Sequence, residues 1–280
     1  MIRLLLIIFL LGASNIQAQS NLIFNKRFVQ CEDKWIAFKM DKDSNYVFGF
    51  IYIDEQAGLT FNQEGTFKFN SDYSVIVKKD QEYNVKVRLE PNYVKVAIIP
   101  ESMYLDLQID SFPDWLISYK SNMDSISRLY KWGYMYNGWN ECEKALEFLL
   151  KAHSIDPNFK GVAVELAYSY NCLKEYLKAE EVLEKAILTE PNNAYINKEY
   201  IYTLIHKNDI NKAISQYKKS IKNKIENTYN AENCFNILGY FYMQKDLKSL
   251  KKWEKEFLKW PNRDPKMLKY IKMMKEEIEK

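Results

Sequence analysis

An α+β chain of two domains is predicted, a small antiparallel β-sandwich or barrel-like domain followed by an α-α superhelix of stacked hairpins. Three observations predict it. Apolar residues alternate with period two from about Asn21 to Ile109. The pattern turns helical beyond Ser111-Phe112-Pro113-Asp114. Within the helical half, residue types recur every 34 positions. At 280 residues the chain is long enough for two ordinary domains.

The first residues read as an address. Arg3 is followed by an unbroken apolar run, Leu4 to Leu11, then by polar Ser14-Asn15-Ile16-Gln17 and a small residue, Ala18, before Gln19. That is the layout of a signal peptide over residues 1–18. The run is too short for a bilayer core, which needs about 20 apolar residues. Export to the periplasm or outside the cell is therefore expected, with no transmembrane span in the mature form. Cleavage would remove Arg3 and lower the net charge from +3 to +2. The β half leans acidic, whereas 207–280 is rich in lysine. Those lysines interleave with apolar residues as on the wet face of helices, so nucleic acid is not the expected partner.

In the β half (19–112), Trp35 to Met40 and Tyr46 to Ile53 read as strands, the second apolar on both faces and so central. Asn62-Gln63-Glu64-Gly65 separates Leu59-Thr60-Phe61 from Phe67-Lys68-Phe69 as a hairpin loop would. Val85, Val87 and Leu89, alternating with Asn84, Lys86 and Arg88, predict a hairpin with Val94, Val96 and Ile98 around Glu90-Pro91-Asn92. Some seven short strands are expected. Asp41-Lys42-Asp43-Ser44-Asn45 has part of a calcium-loop pattern but lacks its Gly and terminal Glu, and reads as a polar turn.

A linker or short helix (113–125) leads to the repeats. Ala145, Ala179 and Ala213 are 34 apart, as are Ala152, Ala186 and Ser220, Pro157 and Pro191, and Tyr136 and Tyr170. Small residues at fixed places let paired helices approach to about 8–10 Å. Proline ends the second helix, because the residue before it avoids helical angles. Asn140 with Glu143 reads as a capping box opening a second helix. With these residues on the page, the segment 126–263 resembles the tetratricopeptide repeat (TPR) family. The repeats are 126–159 (Trp132-Gly133, Tyr136, Ala145, Leu149, Ala152, Pro157) and 160–193 (Leu166-Ala167, Tyr170, Ala179, Leu183, Ala186, Pro191). Weaker ones follow at 194–227, with Ile225 in place of Pro, and 232–263, with Leu238-Gly239 and Tyr242. Asp264-Pro265 should open a capping helix over 264–280.

The resemblance implies a concave groove lined by the first helix of each hairpin. Carried over position by position, it holds Tyr134, Tyr168, Tyr202 and Tyr240, with Tyr130, Asn137, Asn171, Glu165, Tyr195, Lys198, His206 and Asn236 beside them. A tyrosine ladder with asparagines suits a peptide backbone; packing between adjacent helices is the structural alternative for the same residues. The two-lysine clamp that some relatives use for a chain terminus is not reproduced. The repeat also places Cys142 and Cys172 at one edge of the stack, as a disulfide or as two semi-buried thiols.

No GxSxG, HExxH, GxxxxGK or GxGxxG occurs, and neither His153 nor His206 has ligands at metal spacing. No cofactor or metal is expected. A non-enzymatic scaffold with a protein or peptide partner is the leading expectation. The alternatives are a glycan or cell-envelope binder using exposed Trp35, Tyr46 and Tyr52, and a hydrolase with two unsignalled carboxylates.

Overall fold

The computed structural model describes residues 22–79, 85–120 and 123–279, which fall into two compact units, Met1–Tyr119 and Lys120–Lys280. The signal-type segment 1–18 and Asn84 lie outside the described residues.

The first unit is a single open antiparallel sheet. Its strands are β1 (Lys34–Ala37), β2 (Tyr46–Asp54), β3 (Gly58–Phe69), β4 (Val75–Lys79), β5 (Lys86–Arg88) and β6 (Ala97–Ile98). They run in the order β4-β3-β2-β1-β6, with β5 on β3. This corrects the expected sandwich or barrel. The end strands do not meet, and the core face is covered by short 3₁₀ and other turns: Met103, Leu107 and Leu116 close over Trp35, Phe48, Phe50 and Phe67. The 3₁₀ turn Asp114–Tyr119, inside the segment 113–125 read as a linker or short helix, belongs to this unit. Trp115 there stands edge-on to Phe50 and Tyr52, with ring centroids 5.9 and 4.9 Å away.

Three further expectations change. β3 runs unbroken through Asn62–Gly65, because Gly65 is a close-approach residue and not a turn. A Cβ there would lie 2.2 Å from the Lys78 carbonyl oxygen, and the ladder shifts register across from it at Phe48/Gly49. The hairpin around Pro91 does not form: β5 pairs with β3, and β6 pairs with β1. Trp35 and Tyr52, expected on the surface, are buried, and the Trp35 indole N–H donates to the Asp110 carbonyl at 2.8 Å. Half-buried Tyr46 lies against Phe67 at 5.0 Å. The polar turn at Asp41 matches its reading, with the carboxylate accepting from the Asp43 and Asn45 amides.

The second unit is a run of helical pairs: α1 (Ile126–Gly138) with α2 (Cys142–Ile155), α3 (Val162–Cys172) with α4 (Tyr176–Thr189), α5 (Ala194–His206) with α6 (Ile210–Lys222), and α7 (Asn230–Met243) with α8 (Leu247–Phe257). A last helix, α9 (Pro265–Ile278), follows. Each first helix ends the same way. Asn140, Lys174, Asn208 and Lys245 take left-handed angles, and the next amide returns to the carbonyl of Tyr136, Tyr170, Leu204 or Phe241. Asn140 is therefore a helix terminator, and the expected capping box is absent: Glu141 is the N-cap of α2 and makes no side-chain cap. Asn193, Asp209, Asp246 and Asp264 do cap α5, α6, α8 and α9 through their side chains.

These turns set the register. The first three are 34 residues apart, whereas Lys245 follows Asn208 by 37, after an extra 3₁₀ turn at Asn227–Tyr229. Ala145, Ala179, Ala213 and Leu250 are all fully buried at one position of the second helix. On the first helix, Gly133, Ala167, Ile201 and Leu238 share a buried position. Gly239 therefore aligns with Tyr134, Tyr168 and Tyr202, and Tyr240 is not a rung of the ladder. The sequence match for the fourth repeat is one residue late. α9 closes the stack on α7 and α8 with buried Ile271, a Tyr242–Glu277 hydrogen bond of 2.7 Å and a Lys275–Glu254 ion pair of 2.6 Å.

The two glycines test this register. A Cβ at Gly133 would lie 2.3 Å from Leu149 Cγ, while at Gly239 nothing lies within 4 Å. Gly133→Ala is expected to cost about 1–3 kcal/mol by overpacking. Gly239→Ala should be neutral or stabilising by up to about 1 kcal/mol. Urea unfolding of both variants checks the pair.

Candidate binding cleft

The first helices stack α1 on α3, α3 on α5 and α5 on α7, so their polar residues meet at each junction. Asn137 on α1 donates through Nδ2 to the Glu165 carboxylate at 2.8 Å and to the Glu165 carbonyl at 2.9 Å. Its Oδ1 accepts from the Ser169 hydroxyl at 2.7 Å. One repeat on, Asn171 donates to Glu199 at 2.9 Å and accepts from Thr203 at 2.8 Å. All six residues are buried. Three of the groove residues expected from the sequence, Asn137, Glu165 and Asn171, are thus spent on holding α1, α3 and α5 together. At the next junction the Asn position is Ile205, and the clamp stops.

Glu165, only 2% exposed, has its carboxyl pushed up to about 7. Burial is the main cause, partly offset by hydrogen bonds from Asn137 and Tyr195, with the Glu199 charge raising it further and Lys198 lowering it. Lys198 Nζ lies 2.7 Å from Glu199 and 3.4 Å from Glu232, with the rings of Tyr195 and Tyr229 beside it. Burial works against its charge, and those two carboxylates raise its pKa all the same.

What remains open on the first-helix side is a cleft of about 440 Å³. Its walls are Tyr168, Asn171 and Cys172 of α3, Lys198, Glu199 and Tyr202 of α5, Glu232 of α7, and Asn140, Lys174 and Tyr176 at the turns. His206 lies behind it, its ring 4.2 Å from Tyr202 and 5.2 Å from Tyr176, and burial lowers its pKa. The other expected residues scatter. Tyr134 is 58% exposed, Tyr130 packs on Phe159 at 5.8 Å, Asn236 is half-buried, and Tyr240 stands against Phe241 at 5.5 Å. Tyr176, Lys174, Glu199 and Glu232 were not read from the sequence as site residues. A signal existed for Glu199, which repeats Glu165 at 34 residues just as Thr203 repeats Ser169.

At the turn edge of the cleft, Cys142 and Cys172 form a disulfide with Cα atoms 6.3 Å apart. It ties the start of α2 to the end of α3, across the first junction. Cys31 and Cys234 are buried free thiols. No helix among the described residues is long and apolar enough to cross a membrane, and the described residues hold no group of three or more side chains able to hold a metal ion.

The disulfide closes a loop with a sequence separation of 30. Replacing both cysteines by alanine should cost about 2–4 kcal/mol in urea unfolding under oxidising conditions. Glu165 makes a pH prediction. Its folded pKa, about 7, lies above the ordinary value of 4.5. Between those values the folded state holds more protons, so this carboxyl lowers stability as pH rises through the window. Partly desolvated His206 acts with the opposite sign, losing stability as pH falls. The difference between wild type and Glu165→Gln isolates the carboxyl: the variant should lack the decline between pH 4.5 and 7, read as melting temperature against pH.

No protein-family model matches the chain, and no curated protein matches it. Among solved structures it is similar to MamA, with 19% identity and a TM-score of 0.43 over 52% of this chain and 83% of that one. It is also similar to TTC0263, a thermophilic TPR protein of Thermus thermophilus, with 16% identity and a TM-score of 0.47 over 57% and 86%. A third similarity is to the TPR-like repeats of a Podosopora anserina kinesin light chain, at 13% and 0.37 over 59% and 82%. The structural neighbours of the C-terminal helices are tetratricopeptide-repeat proteins.

Proposed function

We propose that this is an exported, non-enzymatic scaffold whose helical stack holds a peptide or a segment of a partner protein along the first-helix cleft. The observation that carries this is the grouping of Tyr168, Tyr176 and Tyr202 around one cleft of about 440 Å³. Tyrosine offers a large face for little lost rotamer freedom, and its hydroxyl serves a peptide backbone. The polar clamps behind the cleft hold the helices in place, so the walls are formed before a ligand arrives and less ordering is lost on binding. Lys198 is matched by Glu199 and Glu232, which favours a neutral or mixed-charge segment over an acidic one.

Export is supported by the Arg3, Leu4–Leu11, Ala18 pattern and by the Cys142–Cys172 pairing, since stable disulfides belong to oxidising compartments. The β unit serves as the docking or anchoring module in this reading.

Tyr168→Ala and Tyr202→Ala test it, with Leu150→Ala on a second helix as control. Cross-linking in the native host identifies the partner segment, and titration of that segment gives affinities. Each tyrosine variant should weaken binding by about tenfold, near 1.4 kcal/mol, with the circular dichroism spectrum unchanged, while the control binds as wild type. Equal affinities across all three would discard the cleft as the binding surface.

A further inference from the structure

The two sulfurs of the disulfide stand in different surroundings. Cys142 is the first residue of α2 and is 3% exposed. Cys172 is the last residue of α3, half-buried, and forms part of the cleft wall near Lys174 and Tyr176. Thiol–disulfide exchange needs a thiolate to reach one sulfur and the other to depart, so access and leaving-group stability decide which is attacked. Access favours Cys172. The leaving group favours the same direction, because Cys142 would depart at the N-terminal end of α2, where backbone amides stabilise a thiolate. In the reverse direction Cys172 would depart among the carbonyls closing α3. Exposed Glu143 in the first turn of α2 offsets part of the helix contribution, which leaves access as the larger effect.

We infer that Cys172 is a thiol-exchange site facing the cleft, attacked by a low-molecular-weight thiol or a dithiol reductant, with Cys142 as the leaving sulfur. A bond forms between the incoming sulfur and Cys172 as the Cys142–Cys172 bond breaks. The electron pair leaves with Cys142 as thiolate, which then takes a proton from solvent. With a dithiol, the second thiolate attacks the reductant sulfur of the mixed disulfide and releases Cys172. The reductant is oxidised to its own disulfide, and two electrons have passed to the protein.

The remaining cysteines do not divert the reaction. Cys31 and Cys234 are fully buried, and burial pushes their thiols up to about 11 and about 12. The Cys234 thiol also donates to the Tyr217 hydroxyl at 3.1 Å. Exchange is confined to the pair and unhooks the α1–α2 turn from the end of α3, at the edge of the cleft. This holds whatever ligand the cleft takes.

The oxidised full chain is incubated with excess reduced glutathione, quenched early with N-ethylmaleimide and mapped by peptide mass spectrometry. Glutathione is expected on Cys172 with Cys142 alkylated, in about tenfold excess over the reverse pattern. An even split, a preference for Cys142, or no adduct at all overturns the inference. A second measurement uses Cys142→Ala and Cys172→Ala with an aryl disulfide probe in native buffer. Cys172 should react about tenfold faster than Cys142, because access outweighs the thiolate stabilisation at the start of α2, and equal rates count against the assignment. If either variant fails to fold, the wild-type map decides alone.

Discussion

Asn140, Lys174, Asn208 and Lys245 each turn the chain through left-handed angles at the end of a first helix, and the stack depends on that repeated turn. A non-glycine residue held there costs about 1–2 kcal/mol. The cost is offset because two carbonyls at the helix end, which would otherwise lack partners, are bonded by the following amides. With the turn repeated, each second helix meets its partner at the same level. Ala145, Ala179 and Ala213 come to equivalent buried places for that reason. Translation by one pair then brings the first helices into contact with one another.

That contact is polar where the chain can satisfy it. Burying a carboxamide, a carboxylate and a hydroxyl together is unfavourable unless each finds a partner. In Asn137–Glu165–Ser169 and Asn171–Glu199–Thr203 they do. Such groups add less to net stability than hydrocarbon would, but they reject a slipped register, since a shift of one residue strands every one of them. The open cleft is the part of this face that packing leaves over. Its tyrosines sit on helices whose positions are already settled.

The sequence revealed the parts of this arrangement that repeat locally. A period of 34, small residues at two levels and proline at the hairpin ends are enough to place α1 to α6. Three extra residues before α7 hid the change of register, because Gly239 and Tyr242 imitate Gly133 and Tyr136 closely enough to shift the match by one. The β unit was harder for a physical reason. Period-two alternation marks a strand but not its neighbour, so β5 and β6, adjacent in sequence, could not be seen to pair with β3 and β1 instead of each other. Glycine misled in the same way: Gly65 is needed because another strand passes close, which composition alone cannot distinguish from a turn. In the cleft, the sequence showed polar and aromatic residue types but not their surroundings. Whether Asn137 faced a ligand or a neighbouring helix depended on contacts between repeats.

The change from Asn137 and Asn171 to Ile205 has a mechanical side. In a linear array each link bears only on its neighbours. The first link is covalent as well as polar, through Cys142 and Cys172. The second joins its clamp to a mesh of charges among Glu180, Lys207, Lys212 and Glu184. The third rests mainly on hydrocarbon contacts, helped by Lys198 and Glu232. The kind of link therefore changes along the stack, from covalent and polar at the front to mostly apolar at the rear. The cleft residues from Tyr168 to Glu232 thus lie across both the second link and the third.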